Sequence, residues 1–104
     1  MNKLQKLLLA TLLASTLEAV NASAASICID GQYLVSGEQR QISIFDNVCG
    51  QNRGNFTMVG GQKTYGITVC LSGSGYANVT YRNVTNNSSP VTSSFLHDGD
   101  CISP

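Results

Sequence analysis

The chain has 104 residues, 12% of them charged, and a formal net charge of zero at pH 7. That balance leaves no basic stripe to follow nucleic-acid phosphates and no Lys/Arg cluster to hold an anionic membrane surface. So short a chain supports a single small domain.

The first residues read as an export signal. Lys3 and Lys6 form a positive start, Leu7 to Ala14 an apolar run, and Ala22-Ser23-Ala24 an A-x-A cleavage site. Ser15, Thr16, Glu18 and Asn21 break the run short of the roughly 20 apolar residues a membrane span needs. Residues 1–24 are therefore expected to be removed, leaving one domain over 25–104, with cleavage after Ala22 as the alternative. The remainder carries four basic and five acidic residues. A secreted or periplasmic location follows, with no integral membrane anchor.

A core of some 80 residues rarely supplies more than about 3–5 kcal/mol, so a covalent staple is expected. Cys28, Cys49, Cys70 and Cys101 provide it, being even in number and widely spaced in the exported part. Zinc would call for close C-x-x-C pairs, which are absent. Four cysteines allow three pairings; the sequential one, Cys28–Cys49 with Cys70–Cys101, closes each half locally and is favoured. In that pairing Cys70–Cys101 clamps the C-terminal tail.

Beyond residue 25 the helical period is missing and short alternating runs dominate. Strands are expected at 26–29, 32–35, 41–45, 56–59, 65–71, 76–82 and 91–96, with a short one at 101–102. Gly60-Gly61 reads as a tight hairpin turn, and residues 65–82 as one hairpin around Ser72-Gly73-Ser74-Gly75. The fold class is all-β: a small disulfide-stapled antiparallel meander closed as a β-sandwich or small barrel. Cys70 alternates with Ile67, Val69 and Leu71, and Cys28 lies between Ile27 and Ile29. The cysteines therefore sit on the face away from each strand's apolar row, so either these strands are buried on both sides or the disulfides lie on the second face, the latter favoured for Cys70–Cys101.

Catalytic groups are few. His97 is the sole histidine, in the polar turn His97-Asp98-Gly99-Asp100, and no G-x-S-x-G elbow offers it a nucleophile. Ser72 and Ser74 belong to a glycine-serine loop. Asp30, Glu38, Asp46, Asp98 and Asp100 each lie at or near an expected turn, too dispersed for a calcium cage. No enzyme, metal or cofactor is expected.

Binding residues are better represented. Tyr65 and Tyr81 are in phase with apolar neighbours and are expected in the core. Tyr76 is in phase with Asn78, Thr80 and Arg82 and faces outward, as a residue that stacks on a sugar or meets a partner protein would. Tyr76, Arg82 and the loop residue Arg53 form the candidate binding surface, beside the loops at 50–55, 72–75 and 83–90. After the export signal, five N-x-S/T sequons begin at Asn55, Asn78, Asn83, Asn86 and Asn87; they also read as Asn and Thr alternating along solvent-facing strands. The number and order of the cysteines and the chain's size resemble the small secreted α-amylase inhibitors of the tendamistat type, two-disulfide β-sandwiches. Their Trp-Arg-Tyr segment has no counterpart in a chain without tryptophan, so no site residue carries over. The expected function is a monomeric, non-enzymatic binding or interaction protein with a protein or glycan partner. The alternative is a structural component of an envelope or extracellular assembly, built by pairing of edge strands.

Overall fold

The computed structural model describes residues 24–104; the export signal lies outside the described residues except for Ala24. Seven strands follow in order: β1 (Ala24–Asp30), β2 (Gln39–Asp46), β3 (Gln51–Val59), β4 (Lys63–Cys70), β5 (Ala77–Asn83), β6 (Val91–Leu96) and β7 (Cys101–Ile102). They form two sheets, ordered β4-β1-β7 and β3-β2-β5-β6. No barrel closes, and the sandwich is the form taken. Among the described residues no helix is long and apolar enough to cross a membrane.

Period-two alternation builds the core. Ala25, Ile27 and Ile29 of β1, Ile67 and Val69 of β4 and Ile102 of β7 meet Ile42, Ile44, Met58, Ala77, Val79 and Leu96 of the other sheet. Tyr81 packs against this cluster. Burial, and secondarily the charge of Tyr33, push its hydroxyl pKa up. Tyr65, expected beside it, is instead 70% exposed. Gly66 is at φ 89°, and the register slips so that Ile27 faces Ile67 while Ile29 faces Thr64. That bulge turns Tyr65 out of phase with Ile67.

Two expected hairpins are crossings. β3 and β4 flank Gly60-Gly61 but belong to different sheets, as do β4 and β5. The hairpins that form are β2–β3 and β5–β6. Residues 32–35 are turns and not a strand. Their loop folds onto the Gly60-Gly61 turn, with Gly31 O accepting from Gly61 N and Gly60 O from Gly37 N. Residues 51–55, expected as loop, extend β3 toward its own turn.

The disulfides are Cys28–Cys101 and Cys49–Cys70, which corrects the sequential pairing. Sequential closure presumed that each half of the chain folds on itself. Instead β7 returns parallel to β1, setting Cys101 directly opposite Cys28 with Cα atoms 4.3 Å apart. Cys28–Cys101 is thus the clamp on the tail. Cys49–Cys70 ties the β2–β3 turn to the end of β4, joining one sheet to the other.

The tail's other anchors include Ile102, 2% exposed, the pairing of Asp98 and Gly99 with the Ser26 backbone, Cys28 N donating to Asp100 O, and the Tyr33 hydroxyl donating to Pro104 O. Cys28–Cys101 closes a 73-residue separation, worth about 4 kcal/mol in chain entropy, against about 3 kcal/mol for the 21-residue Cys49–Cys70 loop. Replacing Cys28 and Cys101 together by Ser should cost about 4 kcal/mol and speed amide exchange at Cys101 and Ile102 before it affects β5. Denaturant titration with exchange mass spectrometry checks both. Loss spread evenly over all strands would show that packing alone holds the tail.

Candidate recognition face on the four-stranded sheet

Alternation along β2 and β5 sends Ile42, Ile44, Ala77 and Val79 inward, so Ser43, Phe45, Asn78, Thr80 and Arg82 face out. On that outer face the polar side chains bond to one another. Asn47 Nδ2 donates to Asn78 Oδ1 and to Thr80 Oγ1, both at 2.9 Å. Asn78 Nδ2 donates to Ser94 Oγ at 3.2 Å, and the Thr80 and Thr92 hydroxyls meet at 2.9 Å. The expected Asn/Thr solvent face is therefore a hydrogen-bonded row across three elements. Of the sequon asparagines, Asn55, Asn86 and Asn87 are exposed, Asn78 lies within the row, and Asn83 is buried.

A depression opens on each side of this row. One, of about 220 Å³, is bounded by Asn47, Val48, Ser74, Tyr76, Asn78 and Phe95. The other, of about 300 Å³, is bounded by Ser43, Phe45, Asn52, Thr80, Arg82 and Pro90. The loops around 72–75 and 83–90 each contribute a wall. Tyr76 is half-buried at the first depression, where its ring meets Phe95 edge-on at 5.4 Å and His97 at 4.8 Å. Both are edge-to-face geometries that aromatic quadrupoles favour.

Phe95 is the unusual residue of the face. It is 72% exposed, and its φ is +64°. Three bulges interrupt the sheets, each with two residues on one strand against one on the other. They lie in β3 at Arg53-Gly54, in β4 at Tyr65-Gly66 and in β6 at Ser94-Phe95. Each contains one residue in the left-handed region: Gly54 at 93°, Gly66 at 89° and Phe95 at 64°. Glycine enters that region without a Cβ penalty, whereas another residue costs about 1–2 kcal/mol. The third bulge holds an aromatic side chain where the other two hold none.

The first depression's wall is set from beneath by Asp46, whose side chain is fully buried. Its Oδ1 accepts from the Val48 and Cys49 amides at 3.1 and 3.2 Å, fixing the turn that carries Asn47 and Val48. Its Oδ2 accepts from Cys70 N at 2.8 Å and from Arg53 Nε and Nη2 at 3.2 and 2.9 Å. Burial by itself raises the carboxyl's pKa. The Cys70 amide, Arg53 and the Cys49 amide outweigh it, and the net shift is downward. Arg53, its side chain 25% exposed, is thus engaged in this junction, with Nη2 also 3.4 Å from Cys70 Sγ. Asp46, Cys49 and Cys70 cluster tightly enough for a metal. Both sulfurs are in a disulfide and both carboxylate oxygens are occupied, so they do not fit one.

Of the three candidate surface residues, then, Tyr76 and Arg82 lie on this face and Arg53 does not. His97 Nδ1 stands 3.4 Å from Asp100 Oδ2, and Asp98 Oδ1 caps the Ser26 amide at 2.7 Å. These are the bonds of a turn against the β1 edge. Phe45 and Phe95 went unnoticed in the sequence; Phe45 had a signal in its phase with Ser43. No family model, curated protein or solved structure matches this chain.

If Phe95 is held against its backbone preference, the smaller substitutions should separate. Phe95→Gly relieves the left-handed strain, and Phe95→Ala keeps it, so the glycine variant should be the more stable by about 1–2 kcal/mol. Urea denaturation of the two variants measures the difference. Equal stability, or a more stable alanine variant, would show an unstrained backbone there.

Proposed function

We propose that this is a secreted or periplasmic, non-enzymatic binding protein whose recognition surface is the outer face of the four-stranded sheet. The observation that carries this reading is Phe95: an exposed aromatic kept at φ +64° beside Tyr76. Strain of that kind persists where the surroundings enforce it, and it concentrates at functional sites. Packing does not explain it, because the ring is mostly in solvent.

Two disulfides suit an oxidising compartment. Of the two cleavage positions, the one after Ala22 better suits the fold, since it keeps Ala24 in β1 opposite Cys70. Assembly through edge strands is disfavoured by the edges themselves. β3, β4 and β6 each carry a bulge, and β7 has only two residues. Interruptions of this kind are how sheets avoid pairing with other chains, which supports a monomer.

The test compares oxidised wild-type protein with Phe95→Gly, both immobilised and exposed to the extracellular proteins and polysaccharides of the organism that makes it. Wild-type should retain a component that the glycine variant loses by about tenfold or more, the worth of one good aromatic contact. Equal retention by both would place recognition elsewhere on the molecule.

A further inference from the structure

We infer that the ligand is a linear oligosaccharide lying along β5 across both depressions, a proposal that rests on reading this face as the recognition surface. A pyranose ring presents an apolar C–H face and a rim of hydroxyls, each able to donate and to accept. The two depressions supply the first requirement with Tyr76 and Phe95 at one end and Phe45, 42% exposed, toward the other. The row between them supplies the second. Asn47, Asn78, Thr80, Thr92 and Ser94 carry amides and hydroxyls that both donate and accept. Their bonds to one another hold them in place before a ligand arrives, which lowers the ordering cost of binding.

Charge narrows the class further. Among the described residues no carboxylate lines either depression, and the one cation there is Arg82. Among the described residues Arg82 forms no ion pair. Its planar guanidinium suits paired oxygens, whether vicinal hydroxyls or a uronic carboxylate. An extended peptide would instead seek backbone groups at a sheet edge; this face offers side chains only, and the edges are interrupted.

Length argues for a chain and not a single sugar. Tyr76 and Arg82 are six residues apart, which at the strand rise spans about 20 Å. Several sugar rings fit that distance.

The experiment titrates oxidised, isotope-labelled protein with cello-, xylo- and chito-oligosaccharides and with oligogalacturonates, from dimer to hexamer. For the binding series, Kd should tighten by about tenfold or more from dimer to hexamer as the second depression fills. Resonances of Tyr76, Phe95, Phe45 and Arg82 should shift together. Arg82→Ala should erase the gain in affinity from dimer to hexamer, whereas Phe95→Gly should weaken dimer and hexamer alike. Binding by the neutral series assigns Arg82 to hydroxyls; binding by the galacturonates alone assigns it to a carboxylate. Either result upholds the oligosaccharide. Absence of any shift at millimolar sugar overturns it, and a Phe95-dependent protein partner would then leave the recognition face standing. Sugar binding unaffected by Phe95→Gly and Arg82→Ala alike would overturn the face as well.

Discussion

One buried carboxylate organises this small domain. Asp46 ends β2 inside the sandwich with its side chain fully out of water, and five hydrogen bonds converge on it. Left alone, a buried carboxylate would protonate or unfold its surroundings. Here the donors come from three places: the β2–β3 turn, the β3 bulge and the last residue of β4. Satisfying Asp46 therefore fixes all three at once. The bulge matters in this respect, because Arg53 is the residue left without a register partner between Asn52 and Gly54. Its side chain, 25% exposed, reaches in to the carboxylate through the guanidinium. Cys49–Cys70 reinforces the same junction covalently, next to the amides of Cys49 and Cys70 that Asp46 holds.

From that junction the order extends outward to the recognition face. The turn fixed by Asp46 presents Asn47, whose amide bridges Asn78 and Thr80, and through them Ser94 and Thr92. The row is thus anchored at one end to the core and at the other to the bulged edge strand that displays Phe95. Stability is invested in the first and given up in the second: a fully satisfied polar junction offsets a strained aromatic. Such a division is common where a site needs a geometry the backbone resists.

Part of this was legible in the residues. The strands around Ile27, Ile42, Ile67 and Val79 show their inward faces by alternation, and an even set of dispersed cysteines shows the staples. Tyr76 and Arg82 show their common face by phase with Asn78 and Thr80. Connectivity was not legible, because Gly60-Gly61 and the Ser72–Gly75 loop have the same turn chemistry whether they close a hairpin or cross between sheets. That choice is made by which apolar faces meet, and it also decides the disulfide pairing. The bulges divide instructively. Gly54 and Gly66 mark theirs with the residue type that positive φ favours, whereas Phe95 gives no local sign. Asp46 read as a turn residue because its partners, Arg53 and the Cys70 amide, come from strands placed beside it only by the tertiary fold.

The pH dependence of Asp46 tests this arrangement most directly. Its folded pKa is lowered from 3.8, so the unfolded chain takes up the proton first as pH falls. The stabilisation should be fully present above about pH 4 and disappear as pH drops through the folded value. Carbon-detected titration of the Asp46 carboxyl, with unfolding free energies of wild-type and Asp46→Asn from pH 7 to pH 2, measures both sides. The expected result is a carboxyl titrating below 3.8. The asparagine variant should be weaker by about 2–3 kcal/mol at pH 7, with the gap closing in acid. A carboxyl titrating at or above its ordinary value, or two proteins of equal stability at pH 7, would contradict the central place given to Asp46.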